Sequence, residues 1–400
     1  MLTQTRTAAR LAALLLAATT ATGLVACTSG DNSGNGGAGT SETLSTVTSP
    51  VAHTPAQGTG SLGLPCGEQE FLSRFTTRQK LAQMLNVGVT GEADARRVIE
   101  QEQIGGFFVT SWADPSFLAS GRVAAVAAES EVPVMVTIDE EGGRVSRAKH
   151  VIGASPSARE LARTRSAEEV YEIARQRGTA LRELGITVDF APVVDITDQP
   201  DNEVIGDRSF GSTPEAVTEY AGAYARGLRD AGVLPVLKHF PGHGRATGDS
   251  HVEGVTTPPL PELLGHDLVP FRSLIDTGAA VMVGHLTVPG LTEPGTPASL
   301  SPATMSLLRN GVGYGAAPFD GLIFTDDLGS MRAVTDLYDI TEAALRSLQA
   351  GADIALWIST DRVTDVLDRL ESAVASGELP MSQVDASVVR IGKAKGLVDC

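Results

Sequence analysis

From residue 85 to residue 356, short apolar runs of four to six residues alternate with longer stretches whose apolar positions recur at helical spacing. The runs fall at 85–89, 106–109, 134–138, 188–193, 233–237, 281–284, 322–325 and 353–356, and each reads as a buried strand. Between most of them lie amphipathic segments such as 167–184 and 214–231, long enough to cross back over a sheet. Strands alternating with helices imply parallel pairing, because a parallel neighbour needs a crossover. Eight such units predict an α/β fold of the (β/α)8 TIM barrel type in a single domain. An open doubly wound sheet would be expected to show a Gly-rich phosphate turn, and no G-x-G-x-x-G follows a strand here.

The residues that close the runs add chemistry to this pattern. Asp139 follows the third run, Lys238 and His239 the fifth, His285 the sixth and Asp326 the seventh. Any one of them could be an ordinary cap of a βα loop. Together they match what the carboxyl end of a barrel requires, where catalytic groups come from several strand ends.

The ends of the chain read differently from its middle. Arg6 and Arg10, a mainly apolar run over 11–25 and then Cys27 have the layout of a secretory signal. Residues 24–27, Leu-Val-Ala-Cys, resemble a bacterial lipobox, so residues 1–26 are expected to be cleaved and Cys27 to carry the lipid that anchors the protein to the membrane. Residues 27–65 are rich in Ser, Thr and Gly with few large apolar side chains, the composition of a flexible tether. Residues 66–400 are then the folded domain. Lipidation would leave Cys66 and Cys400 as an even pair outside the cytoplasm, which suggests a disulfide between the two ends of that domain. A formal net charge of -17 argues against nucleic acid as a partner and is silent about a neutral sugar.

Residues 238–251, KHFPGHGRATGDSH, hold three of the seven histidines among three glycines, the make-up of a loop that presents side chains. Asp249 stands two residues before His251, close enough for a carboxylate to orient an imidazole as a general acid/base. His239, His243, Asp249 and His251 are also competent metal ligands, but their spacing matches no familiar zinc pattern. In 323–328, IFTDDL, an apolar strand ends in two carboxylates; strict alternation would let one of Asp326 and Asp327 face a pocket. In 137–147 an acidic strand end precedes paired glycines and two arginines, groups able to bind sugar hydroxyls or to form a surface ion cluster.

Taken in order, IDEEGGRVSR (138–147), LRELGITVDFAPVVD (181–195), GDRSF (206–210), KHFPGHGRATGDSH (238–251) and FTDDL (324–328) resemble the β-N-acetylglucosaminidases of glycoside hydrolase family 3. The resemblance covers nearly all of the chain after Cys66. It implies a cofactor-free retaining exo-hydrolase acting on terminal β-linked N-acetylglucosamine. Asp326 would be the nucleophile, His251 the acid/base and Asp249 its partner. Asp139, Arg147, Arg208, Lys238 and His239 would bind the sugar. The segment DDLGSM (326–331) has one residue more before Met331 than the commoner spacing, which leaves the contacts around Met331 open.

Within the same class, a β-glucosidase or β-xylosidase normally carries a further domain, and a phosphorylase would use phosphate in place of water. From another class, a non-catalytic sugar-binding lipoprotein would not need Asp249, His251 and Asp326 intact. For an anchored hydrolase, the expected substrate is a peptidoglycan fragment (GlcNAc-MurNAc), with chitin oligomers and glycoconjugates as alternatives.

Overall fold

The computed structural model describes residues 67–119 and 121–398. The expectations for residues 1–65, for Cys27 and for a bridge between Cys66 and Cys400 fall outside the described residues. No helix among the described residues is long and apolar enough to cross a membrane.

Eight parallel strands close into a barrel: β1 (Leu85–Val89), β2 (Gly106–Val109), β3 (Met135–Ile138), β4 (Val188–Asp189), β5 (Leu234–Phe240), β6 (Ala280–Val283), β7 (Ile323–Asp327) and β8 (Ile354–Trp357). Each pairs with its neighbours in chain order, and β1 closes the ring on β8. Every run predicted from the pattern is a barrel strand. β4 is shorter than expected, since after Asp189 the chain reaches Pro192, which has no N–H to donate, and pairing resumes only as a bridge between Val193 and Lys238. β5 is longer and takes Lys238 and His239 into the strand itself, with a register shift between Leu237 and Phe240.

The outer helices follow from local signals. Helix Ala167–Glu183 starts at Ser166, whose side chain accepts from Glu169 N while Glu169 reaches back to the Ser166 N–H, and it turns Val170, Ala174, Arg177 and Leu181 inward. Helix Pro214–Asp230 begins with Thr213 as cap and proline in its first turn. The two pack so closely that a Cβ at Gly227 would meet Tyr171 O at 2.5 Å, so only glycine fits that crossing.

The lumen is solid. Phe190 stacks on Phe108 at 5.7 Å and meets Phe324 edge-on at 5.3 Å, while below them Asn86 and Thr137 hydrogen-bond across the interior at 3.1 Å. Burying side chains of this size stabilises the fold by roughly 1.5–3 kcal/mol each. With the lower lumen filled, the space left for a ligand lies at the carboxyl end of the strands, above Phe108 and Phe190.

Candidate active site

A cavity opens at that end. Phe108 and Phe190 contribute to its lining, together with Asp139, Arg147, Arg208, Lys238, His239, His251 and Asp326. Seven residues singled out in the sequence therefore converge on one space. Asp249 is outside the lining, behind His251.

The turn after β3 distributes its three carboxylates to three tasks. Asp139 lies 2.6 Å from Lys238 Nζ and 3.7 Å from an Arg147 Nη. Glu140 turns the other way and is fully buried against Arg177, Ser146 and the Ala148 N–H, which ties the ribbon Glu140–Gly142/Val145–Ser146 to the outer helix. Glu141 receives Arg208 through Nε and Nη2, both at 2.8 Å, and Lys238 Nζ at 2.6 Å. Burial alone would favour neutral Glu141, but the two cations outweigh it and hold the carboxyl well below the usual range. Burial likewise opposes a charge on Lys238, and Asp139 with Glu141 raises its pKa all the same. Of the two arginines in 138–147, Arg144 faces away and binds Asp207 and the carbonyls of 203–205, pinning the segment that carries Arg208. Arg147 keeps a buried Nε with no hydrogen-bond partner beside the cavity.

His239 is oriented by Asp195, a buried carboxylate that accepts from Nδ1 at 2.7 Å, so that Nε2 faces the cavity 3.4 Å from Arg208. The same Asp195 accepts the His243 N–H at 2.6 Å, and against its own burial the two histidines keep its pKa low. His243 Nε2 lies 3.2 Å from Ser250 Oγ, and burial pushes this imidazole down to about 4.

β7 ends in two carboxylates that behave oppositely. Burial raises Asp327, whose oxygens receive Gly329 N and Ser330 Oγ as a loop cap. Burial also opposes ionisation of Asp326, but His239, His285 and the Asp327 N–H at 2.9 Å more than compensate, and Asp326 is held at about 2. Strict alternation is relaxed by a register shift between Phe324 and Asp327, and Asp326 and Asp327 both contribute to the lining. The carboxylates nevertheless divide their tasks, and Asp326 is the one left without a side-chain hydrogen-bond partner. His285 braces this end from behind, with Nε2 2.9 Å from Asp327 O and Nδ1 2.7 Å from Ser299 Oγ. The extra residue in DDLGSM is absorbed by the Gly329–Ser330 cap, and Met331 lines the cavity, 2% exposed.

The loop after β5 brings His251 to the rim, its side chain 59% exposed. Asp249 Oδ1 accepts from His251 Nδ1 at 2.7 Å and from its backbone N–H at 2.9 Å, leaving Nε2 free. Backbone bonds from Arg332 N to His251 O and from Ala333 N to Ser250 O dock this loop on the segment that follows β7. The three imidazole rings of the loop hydrogen-bond to Asp195, Ser250 and Asp249 respectively, and no group of three or more His, Cys, Asp or Glu suited to a metal ion occurs among the described residues.

Sequence reasoning passed over Glu141, Asp195 and Trp112. The first two lay inside quoted segments, but nothing in the local pattern names the cation or imidazole each one meets.

Comparison with known proteins bears on this geometry. Residues 76–394 match the glycosyl hydrolase family 3 N-terminal domain. The chain is 54% identical over 385 residues to the beta-hexosaminidase LpqI of Mycobacterium tuberculosis, covering 96% of this chain and 97% of the relative. Among solved structures it is similar to LpqI of M. tuberculosis (TM-score 0.81, 57% identity, 83% and 97% of the two chains) and to a GH3 glycosyl hydrolase of Mycobacterium smegmatis (0.80, 60%, 82% and 99%). A family 3 beta-N-acetylglucosaminidase from Paenibacillus is more distant (0.74, 37%, 81% and 63%). The family match takes in the whole barrel and every strand end that builds the cavity, and the chain belongs to family 3 of the glycosyl hydrolases.

Proposed function

We propose that this chain is an exo-acting β-N-acetylglucosaminidase that works with retention through a covalent glycosyl-enzyme. The observation that carries the reading is the division of one cavity between an ionised Asp326 with no side-chain hydrogen-bond partner and a rim imidazole, His251, backed by Asp249. Relatives called beta-hexosaminidases at 54% identity support the same class of substrate.

In this mechanism the terminal sugar lies over Phe108 and Phe190. Its hydroxyl and acetamido groups are held by Asp139, Lys238, Arg208, His239 and Arg147, whose unpartnered Nε supplies a donor. Asp326 attacks the anomeric carbon as the bond to the leaving oxygen breaks, and His251 Nε2 gives that oxygen its proton. Water then attacks the same carbon, gives its proton to His251 Nε2, and the bond to Asp326 is released. Asp249 fixes the ring by accepting from Nδ1, so the proton moves at Nε2 in both steps. The loop's backbone links to 332–333 keep acid and nucleophile in register.

For the ends of the chain the same proposal takes residues 1–26 as a cleaved signal, Cys27 as the lipid-bearing residue at the membrane, 27–65 as a tether, and Cys66 with Cys400 as a bridge. Such an anchored enzyme meets GlcNAc-MurNAc units, and peptidoglycan fragments are the proposed substrate. The test is to incubate the purified protein with muropeptides and with chitobiose, with and without phosphate, and to identify products by mass. Release of free N-acetylglucosamine from the non-reducing end is expected, faster from muropeptides. Its absence from both overturns the reading, and sugar 1-phosphate would replace hydrolysis by phosphorolysis.

A further inference from the structure

The polar inner part of the cavity accounts for one sugar and leaves the mouth unexplained. Trp112, in the loop after β2, contributes to the lining although it is 56% exposed. Among the described residues it is the aromatic member of the few large hydrophobic side chains that stay exposed. Leaving an indole in water forgoes a large burial gain, so its position asks for an occupant.

Its loop is also tied by hydrogen bonds on both sides of the indole. Thr110 Oγ1 donates to Val89 O at 3.0 Å, Ala113 N to Thr110 O at 3.2 Å and Asp114 N to Thr90 O at 2.9 Å. Ala113 and Phe117 are buried on the chain just beyond. The indole therefore projects from an anchored backbone, which lowers the ordering cost of any contact it makes. Met331 and Ile358 add apolar surface to the same lining, and a Cβ at Gly88 would sit 2.3 Å from the Ile358 carbonyl carbon, so the backbone that carries Ile358 is pressed tightly on β1.

With the terminal sugar held by Arg208, Lys238 and His239, and the scissile oxygen at His251 on the rim, the next ring must lie at the mouth. A β-linked hexopyranose with equatorial substituents presents a face of C–H bonds, the complement of an electron-rich indole. We propose that Trp112 is the platform of a leaving-group subsite that stacks the second sugar ring of a β-linked hexosamine disaccharide. This rests on the hydrolase reading above, and it assigns the preference for a sugar leaving group to one side chain.

The test compares wild type with Trp112→Ala and Trp112→Phe. Two quantities are read: kcat/KM on N,N′-diacetylchitobiose, and Ki for free N-acetylglucosamine, which occupies the inner site. The alanine variant is expected to lose about tenfold in kcat/KM with Ki unchanged, and phenylalanine to restore most of the loss. Unchanged kcat/KM, or a Ki that rises in parallel, overturns the proposal. Failure of wild type to cleave the disaccharide would instead strike the hydrolase reading. Unaltered thermal unfolding of both variants is the control expected for an exposed residue.

Discussion

Glu141 grips Arg208 with both carboxylate oxygens at 2.8 Å, and one of those oxygens lies 2.6 Å from Lys238 Nζ. The cluster has two cations and, with Asp139, two anions, all partly or fully out of water. Removing one anion leaves buried positive charge uncompensated, a loss of about 3–5 kcal/mol in comparable pairs. Glu141 does not line the cavity, so its effect on a ligand must pass through the arginine and lysine it positions. Glu141→Gln is expected to raise KM about tenfold or more with a smaller change in kcat, and to lower the unfolding temperature. Steady-state kinetics beside a thermal melt checks both, and an unaltered KM would detach Glu141 from the site.

The two adjacent carboxylates of β7 should separate cleanly. Asp326→Ala is expected to lower kcat by about a thousandfold or more on a nitrophenyl N-acetylglucosaminide with little change in unfolding temperature, because Asp326 makes few structural bonds. Asp327→Ala removes the partner of Gly329 and Ser330, so it should cost stability first and activity second. Since Asp326 is held at about 2, its carboxylate is already ionised throughout the working range. An acid limb of kcat/KM near about pH 5 must then belong to another group. A nucleophile variant retaining near-normal turnover would end the assignment.

How much of this was legible beforehand can be argued from single elements. β1 and β2 were readable to the residue, because each is a buried run bounded by helical segments. The helix at 167–183 was visible from its period, with Ser166 and Glu169 fixing its start. The ends of β4 and β5 were not, since they depend on Pro192 and on a register shift set by both neighbours. Arg144 and Arg147 look alike in the sequence, yet one clamps the carbonyls of 203–205 and the other borders the cavity. Partner choice of that kind is decided by strands far apart in the chain. A lone aromatic such as Trp112 carries no periodic signal at all.

The Asp249–His251 pair predicts a dependence on the leaving group. Asp249→Asn keeps the shape but replaces the carboxylate that accepts from Nδ1, so the ring loses both its orientation and its electrostatic support. Proton donation matters most when the leaving oxygen is basic. The variant should therefore lose about 10²–10³ in kcat/KM on chitobiose and markedly less on a nitrophenyl glycoside. A plot of rate against leaving-group acidity reads this directly as a steeper slope, and parallel slopes for variant and wild type would remove Asp249 and His251 from the acid step.

His243 ties the site's architecture to pH. Burial holds its folded-state value at about 4, against 6.5 for a free imidazole. Between those limits the unfolded chain binds a proton that the folded chain refuses, so acid draws the equilibrium toward unfolding. The stability at stake is present above about pH 6.5, falls as the pH drops through that window and levels off below about 4. His285 is lowered in the same direction, chiefly by burial, and adds to the slope. His243→Gln keeps a polar group near Ser250 and cannot titrate, so it should remove one share of the slope and leave that of His285. In urea unfolding at several pH values across the window, the variant should lose up to about 1.4 kcal/mol less per pH unit than wild type. Superimposable pH dependences would mean that His243 is protonated in the folded protein, or that it escapes burial before the chain unfolds.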